Sequence, residues 1–254
     1  MRENKVKRLI QKGEKVLGVL MGFNSPSFVE FCALAELDFV MFDCEHGPMS
    51  VESIENLVRA AESFGITPLA RVPHNEPSTI LRFLDAGVMG VMVPHIESAA
   101  DAAAIVQAVK YPPLGERGLG PARAGDYLAR GKVTDYVDMA NGETLVIALV
   151  ESARGVENVE EIAAVPGVDV VQLGPSDLSM SMGHYGNPGH PEVQAAIDRV
   201  IAVATAAGKC TGSGAIRGPE ALRKAYDRGI RFVTYGARDV VVDAGQGLLR
   251  AIGR

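Results

Sequence analysis

The chain has 254 residues, of which 47% are hydrophobic and 22% are charged, and its formal net charge at pH 7 is −6. This length and apolar content suffice for one large domain covering residues 1–254. The negative charge argues against a nucleic-acid-binding protein, which normally carries a basic surface, and no apolar run is long enough to span a membrane.

The N-terminus and the cysteines both indicate a cytoplasmic protein. The opening stretch, MRENKVKRLIQKGEK, is highly charged and lacks the apolar core of a secretion signal. Cys32, Cys44 and Cys210 are few, odd in number and widely spaced, which is typical of free thiols in a reducing compartment. We therefore expect a cytoplasmic location, with no membrane or nucleic-acid partner.

Eight short apolar runs recur along the chain, each typical of a strand that is buried on both faces. They cover residues 16–23, 39–46, 66–72, 90–96, 145–152, 169–175, 209–215 and 231–237. Amphipathic helical patterns lie between them, at 50–65, 98–110, 155–167 and 190–208. Ser50 and Gly65 are suited to begin and end the first of these helices. Eight such units predict an α/β fold, a closed (β/α)₈ TIM barrel rather than an open sheet.

One segment interrupts this alternation. Residues 111–127, YPPLGERGLGPARAGDY, are rich in glycine, proline and arginine and are long for a connection between a strand and a helix. Long ordered loops on barrels are often lids or subunit contacts. We expect this segment, together with residues 180–189, to shape the pocket for a second substrate.

Charged and polar side chains follow five neighbouring predicted strands, at the strand ends where the catalytic groups of barrels collect. They are Asp43, Glu45, His46, Arg71, His95, Glu97, Glu151, Ser176 and Asp177. Because the carboxyl ends of all strands of a parallel barrel lie at one face, we expect these side chains to converge on one mouth. Any one of them has a structural explanation, but the clustering indicates an active site.

Glu151 and Asp177 end consecutive predicted strands, so their carboxylates could meet across one strand spacing. Two such oxygen ligands suit a hard cation of the Mg²⁺ or Mn²⁺ kind, although an acid–base pair or an ion pair with Arg71 or Arg154 is an alternative. No strand-end position is a lysine, which excludes a Schiff-base aldolase. Carbonyl chemistry in this barrel would therefore need a metal. The guanidinium of Arg71 suits a carboxylate or an enolate oxygen, or else an acid such as Glu45.

Seven motifs in one order resemble the HpcH/HpaI family of metal-dependent, class II pyruvate aldolases. They are FDCEHGP (42–48), LARVP (69–73), LDAG (84–87), VPHIESA (93–99), GERGLG (115–120), VESARGVEN (150–158) and LGPSDLSMSMG (173–183). The family includes 4-hydroxy-2-oxoheptanedioate aldolase and 2-dehydro-3-deoxyglucarate aldolase, and the resemblance covers nearly the whole chain. It implies a TIM barrel of the phosphoenolpyruvate/pyruvate-binding type. It also implies a homohexamer, a trimer of dimers whose last helix is exchanged between partners.

The resemblance also implies roles for the acidic residues and the arginine. Glu151 and Asp177 would hold a divalent metal, Mg²⁺, Mn²⁺ or Co²⁺, with Glu45 nearby in a second layer around the metal. Arg71 would contact the keto or enolate oxygen of pyruvate. Asp85, from the LDAG motif, would help to relay a proton, either within its own chain or in a neighbouring subunit.

Two further roles follow from the resemblance. His46 would be the acid–base residue, oriented by Asp43, and backbone N–H groups of the Gly174, Pro175 and Ser176 stretch would bind the pyruvate carboxylate. The implied reaction is the reversible cleavage of 4-hydroxy-2-oxo acids to pyruvate and an aldehyde through a metal-bound pyruvate enolate.

The sequence departs from the family pattern at Leu149, where many members carry a glutamine two residues before the metal-binding glutamate. Strand alternation places Leu149 on the same side as Glu151, so the change is expected to reach the pocket. One alternative is therefore a decarboxylase or a citrate-synthase-like condensing enzyme on the same scaffold, acting on oxaloacetate. An inactive binding scaffold disagrees with the intact set of Asp43, His46, Arg71, Glu151 and Asp177. Coenzyme A ester lyases of the superfamily tend to have longer chains.

Overall fold

A computed structural model, which describes residues 2–254, contains a closed barrel of parallel strands in chain order. The strands are β1 (Val16–Met21), β2 (Phe39–Asp43), β3 (Thr67–Arg71), β4 (Gly90–Val93), β5 (Leu145–Val150), β6 (Val170–Leu173), β7 (Cys210–Ser213) and β8 (Phe232–Gly236). Each strand pairs with the next, and β1 pairs with β8 to close the ring. Every predicted apolar run contains one of these strands, so the predicted (β/α)₈ fold is confirmed.

Helices surround the barrel. They are α1 (Lys5–Gln11), α2 (Pro26–Leu34), α3 (Val51–Phe64), α4 (Pro77–Ala86), α5 (Ala99–Val109), α6 (Val133–Glu143), α7 (Ala153–Glu157), α8 (Val159–Ala164), α9 (Pro175–Ser181), α10 (Pro191–Ala206), α11 (Gly218–Asp227) and α12 (Ala237–Ala251). The predicted caps of α3 are confirmed, since the Ser50 side chain accepts the N–H of Ser53 and Gly65 has a φ of 75°. Across residues 2–254, none of the helices combines the length and apolar character that a membrane span needs.

Alternate residues of each strand enter two different cores. On β5, Leu145, Ile147 and Leu149 belong to the cluster that fills the barrel interior, together with the stacked rings of Phe39 and Phe232. The intervening residues of β5 belong to the larger cluster between strands and helices. Leu149 therefore faces the barrel interior, as strand alternation predicts. Cys44 is buried in the outer cluster.

Two sequence expectations need correction. The helical pattern predicted over 155–167 is divided between α7 and α8, because Asn158 leaves helical geometry and donates its side-chain amide to the Glu97 carbonyl, 2.7 Å away. The segment 111–127 does not join a strand to a helix, since it leads from the carboxyl end of α5 towards α6. It therefore lies at the face opposite the mouth, where Arg123 pairs with Glu62 near the end of α3. Within one chain it does not shape the substrate pocket.

The last helix is weakly packed within its own chain. Of the residues of α12, all of which the structure describes, Ala237 alone is buried. Val241, Leu248 and the following Ile252 are exposed by 61%, 72% and 70%. A helix that covers a barrel normally buries an apolar stripe against it, so this face of α12 is short of a partner.

Candidate active site

The register of the barrel places Arg71 beside Asp43. These two residues are direct neighbours at the ends of β3 and β2. Arg71 donates from Nε to Asp43 Oδ1 at 3.0 Å and from Nη2 to Asp43 Oδ2 at 2.7 Å, a two-pronged ion pair. Its Nε also lies 3.2 Å from Glu45 Oε2. Burial by itself raises the pKa of Asp43, but the Arg71 donors and the His46 N–H outweigh it, and the net pKa is lowered.

Asp43 also shapes the turn that follows β2. Its Oδ1 accepts the backbone N–H groups of Glu45 and His46, at 3.3 and 3.2 Å. The contact between Asp43 and His46 is thus to the backbone and not to the imidazole ring. The ring of His46 is 64% exposed, and its Nε2 lies 3.8 Å from Glu45 Oε2. Asp43 therefore positions His46 by holding the loop.

Glu151 lies beneath His95, which has a positive φ of 56°. Glu151 Oε1 accepts the His95 backbone N–H at 3.0 Å and lies 3.2 Å from Nδ1 of the same ring. His95 Nε2 is 3.5 Å from Glu45 Oε1. Burial raises the pKa of Glu151, with smaller contributions of the same sign from Glu45 and Asp177. The strained backbone of His95 is held by these contacts, as at many functional sites.

A cavity of ≈ 130 Å³ opens among these strand ends. Its wall includes seven of the predicted site residues, Arg71, Leu149, Glu151, Gly174, Pro175, Ser176 and Asp177. Of the described residues at this mouth, Asp43, Glu45 and His46 do not line the cavity. Their side chains therefore lie behind or beside its wall. The mouth therefore brings together the predicted metal, arginine and loop residues, with the β2 acids around Arg71.

Gly174 allows β6 to approach Glu151 closely. A Cβ atom at this position would lie 2.7 Å from Glu151 Oε2. The Gly174 N–H is donated to the Val150 carbonyl at 3.2 Å, and Pro175 has no N–H. Of the stretch predicted to bind a carboxylate, only Ser176 keeps a backbone donor, and the Asp177 N–H lies next to it in the first turn of α9.

Asp85 lies far from the mouth of its own barrel. It is near the carboxyl end of α4, at the opposite face, and its Oδ1 accepts a hydrogen bond from Arg117 Nη2 at 2.8 Å. The structure therefore does not bring Asp85 together with His46 or Glu151 in one chain. The expected proton-relay role of Asp85 requires a second copy of the chain.

The acidic residues of the mouth fit a divalent cation. Ligand atoms of Glu45, His95 and Glu151 lie within 4.8 Å of one another, and Asp177 lines the same cavity as Glu151. Glu45 Oε2 is buried without a hydrogen-bond donor, because the nearby Arg71 Nε–H is directed to Asp43. A buried carboxylate oxygen without a donor is costly unless a cation compensates it. His95, whose place in the pocket was open from the sequence, belongs to this cluster.

The sequence analysis missed two polar residues of the cavity wall, Gln172 and Thr234. Both side chains lie inside the barrel, and Gln172 Nε2 is 3.5 Å from Thr234 Oγ1. The sequence does contain a signal for Gln172. It is the one amide in the apolar run 169–175, and strand alternation places it on the side that faces the barrel interior. A single amide inside a strand is a weaker signal than the several charged groups beyond the strand ends.

Comparison with known proteins gives a consistent result. Residues 17–242 match the family model of HpcH/HpaI aldolase/citrate lyase. A hydroxypyruvate/pyruvate aldolase from Pseudomonas aeruginosa is 38% identical over 92% of this chain and 86% of its own. A 5-keto-4-deoxy-D-glucarate aldolase from Klebsiella pneumoniae is 36% identical over 98% of this chain and 93% of its own.

Solved structures agree with the sequence comparisons. The crystal structure of an HpcH/HpaI aldolase/citrate lyase family protein from Burkholderia cenocepacia J2315 has a TM-score of 0.91, with 36% identity over 99% of this chain and 100% of that chain. The citrate synthase SbnG has a TM-score of 0.86, with 29% identity over 97% of this chain and 96% of that chain.

Proposed function

The chain belongs to the HpcH/HpaI aldolase/citrate lyase family, and we propose that it is a divalent-metal-dependent lyase that reversibly cleaves 4-hydroxy-2-oxo acids to pyruvate and an aldehyde. The observation that carries this proposal is the meeting of Arg71, Glu151 and Asp177 around one small cavity. An enolate oxygen needs fixed positive charge, and a cation needs acidic ligands, and this cavity offers both.

We assign the cation to Glu151 and Asp177, with Glu45 beside Glu151. The buried Oε2 of Glu45 supports this assignment, since it accepts no hydrogen bond although Arg71 Nε lies 3.2 Å away, which leaves its lone pairs available to a cation. Mg²⁺, Mn²⁺ or Co²⁺ would withdraw electron density from the 2-oxo group and so lower the free energy of the enolate by several kcal/mol.

Arg71 is the second source of positive charge. Asp43 accepts N–H groups from Nε and Nη2, which leaves further N–H groups of the five on the guanidinium for a ligand in the cavity that Arg71 lines. The two-pronged ion pair holds the guanidinium in place before substrate binds, so little reorganisation is needed as charge develops on the keto oxygen. Ser176 would donate its backbone N–H to the carboxylate of the same substrate.

His46 would carry the proton between the new hydroxyl group and water. An imidazole suits this role because its ordinary pKa lies near neutrality. Asp43 would position His46 through the backbone hydrogen bond at 3.2 Å. Asp85 of a neighbouring copy would complete the relay, since the Asp85 of the same chain lies at the opposite face of the barrel.

We also propose that the chain assembles as a homohexamer, a trimer of dimers, in which α12 is exchanged. The exposed apolar face of α12, with Val241 and Leu248, supports this arrangement, because a partner barrel would remove it from water. The same assembly would bring Asp85 to a neighbouring mouth.

The test is exchange of the methyl protons of pyruvate for deuterium in D₂O, followed by NMR, with EDTA or with added Mg²⁺ or Mn²⁺. We expect metal-dependent exchange that falls at least 100-fold in Glu151→Gln. The matched control is Glu97→Gln, an acid at the same mouth that pairs with Ser152 and does not line the cavity. Exchange that persists in EDTA, or that is insensitive to Glu151→Gln, would refute the proposal.

A second candidate is favoured by Leu149 and by the similarity to SbnG. An apolar wall at Leu149 in place of an amide changes what the cavity can bind next to Glu151. The alternative activity is decarboxylation of oxaloacetate, or its condensation, through the same pyruvate-type enolate. Comparing the rate of oxaloacetate decarboxylation with the rate of aldol cleavage on one enzyme preparation separates the two.

A further inference from the structure

A second group of metal-ligating side chains lies outside the catalytic cavity, where the connection after α9 meets the start of α10. His184, His190 and Glu192 each offer one ligand atom, and these atoms lie within 4.8 Å of one another. None of the three residues lines the cavity of the mouth. Within the part of the chain that the structure describes, one other group has this spacing, and it belongs to the mouth. The three side chains are therefore a separate candidate site for a cation.

The connection between α9 and α10 is folded so that its two histidines meet. Tyr185, directly after His184, has a positive φ of 32°, which is unfavourable for a residue other than glycine. The His184 N–H is donated to the Ser179 carbonyl at 2.8 Å, and the His190 N–H to the Asn187 carbonyl at 3.1 Å. The two imidazole rings stack, with their centroids 3.6 Å apart. The backbone therefore holds the ligand groups together before any ion binds.

The distance between two of the ligand atoms suits a single ion. His184 Nε2 lies 2.9 Å from Glu192 Oε2. Two atoms that each bind one zinc ion at about 2.1 Å lie roughly 3.0–3.4 Å apart, so this pair needs a movement of only a few tenths of an ångström.

His190 is the ligand that must move further. Its Nδ1 accepts the Glu192 backbone N–H at 3.3 Å, which is a long hydrogen bond. Its ring is stacked on that of His184, so a rotation of the His190 side chain is needed to direct a ring nitrogen to the same ion. The weak hydrogen bond that this rotation breaks is a small cost beside a metal–imidazole bond.

The chemistry of the three groups selects the kind of ion. Two imidazole nitrogens and one carboxylate oxygen suit Zn²⁺ and its transition-metal neighbours, whereas Mg²⁺ prefers oxygen ligands. The side chains of His184 and Glu192 are 20% and 70% exposed, so an ion can reach them from solvent and water can complete its coordination.

We infer that His184, His190 and Glu192 form a binding site for a transition-metal ion of the Zn²⁺ kind, distinct from the divalent-metal site proposed at the mouth. The ion would take the place of the proton between His184 and Glu192, and this proton would pass to solvent. Binding would join the connection after α9 to the first turn of α10.

The test counts the zinc ions bound per chain by equilibrium dialysis of the full-length protein against Zn²⁺, with Mg²⁺ in excess. The wild-type protein is compared with His184→Gln and Glu192→Gln, which leave the His190 cap of α10 in place, and with the exposed control His74→Gln. We expect the wild-type protein and the control to bind one more zinc ion than either variant. The affinity of this site should fall at least about 100-fold, since loss of even an outer partner of a metal ligand costs about 10–100-fold.

Two further measurements separate this site from the mouth and check His190. The dialysis is repeated on Glu151→Gln, in which we expect the histidine site to remain filled. The imidazole ¹⁵N signals of His184 and His190 should shift with Zn²⁺ and not with Mg²⁺. Far-UV circular dichroism of each variant without zinc confirms that it is folded.

The inference is overturned if folded His184→Gln and Glu192→Gln bind as much zinc as the wild-type protein. It is also overturned if all zinc binding is lost in Glu151→Gln, or if the His190 signals do not respond to Zn²⁺. None of these measurements uses pyruvate, so failure of the proposed aldolase activity leaves the assignment of this site unaffected.

Discussion

Lys110 offers a test of the barrel that does not depend on substrate. Its Nζ donates to the carbonyls of Asn141 and Thr144, both at 2.7 Å, and the Nζ of Lys7 donates to the same Thr144 oxygen at 2.9 Å. The carboxylate of Asp169 acts on both lysines but pairs with Lys7, at 3.1 Å. Burial, and then the charge of Lys7, lower the pKa of Lys110 to about 7 from the ordinary 10.5.

The sign of the pH effect follows from proton counting. Between pH 7 and pH 10 the unfolded chain binds a proton at Lys110 that the folded chain has largely lost, so the free energy of unfolding rises with pH. For a pKa that moves from 10.5 to about 7, the wild-type protein should gain about 2 kcal/mol between pH 7 and pH 9 from this group. Lys110→Met abolishes the titration and should lack that gain.

The assay is urea unfolding followed by far-UV circular dichroism, because the chain has no tryptophan. Wild-type protein, Lys110→Met and the exposed control Lys12→Met are compared at pH 7 and pH 9. We expect the control to follow the wild-type protein. If Lys110→Met gains as much stability as the wild-type protein over this range, Lys110 does not carry a lowered pKa and the argument is refuted.

Three further predictions concern the site and the assembly. Arg71→Lys removes the two-pronged donor and should slow pyruvate exchange about 100-fold, whereas exposed Arg59→Lys should leave the NMR rate unchanged; a loss below tenfold would contradict the role of the guanidinium. Asp85→Asn and Glu151→Gln should each be inactive. If Asp85 acts in a neighbouring site, an equal mixture of the two variants should recover about a quarter of wild-type activity, because random pairing gives half of the sites an intact Glu151 and half of those an intact Asp85 from the neighbour. An inactive mixture argues against a shared site. Val241→Asp should lower the mass measured by light scattering, and an unchanged oligomer would show that this face of α12 is not an interface.

Local patterns in the sequence were sufficient for the barrel and for most of the mouth. Each strand is recognisable in the sequence as a short apolar run, because a strand that is buried on both faces has no polar face. Once eight such runs are accepted, the geometry of a parallel barrel places residues such as Arg71, Glu151 and Asp177 at one face. Their meeting around one cavity could therefore be predicted without coordinates.

The helix boundaries show where local reasoning is weaker. The division of the predicted 155–167 helix depends on the Asn158 side chain reaching the Glu97 carbonyl, which is 61 residues away in sequence. The composition of segment 111–127 resembles that of a lid and predicts a place at the mouth, but the segment follows α5 and lies at the opposite face. Its position is set by the element that precedes it, which is a helix and not a strand, and the composition of the segment does not reveal this.

The remaining features were decided by tertiary structure alone. Strand register pairs Asp43 with Arg71, so the acid predicted to orient the His46 ring holds the guanidinium and the loop backbone instead. Register also places Gln172 between Leu149 and Gly212, leaving its amide oxygen without a partner. Sequence periodicity determines which side of a strand a residue faces. Which residue lies opposite it depends on the stagger of strands far apart in the chain, and this stagger is set by packing of the whole barrel.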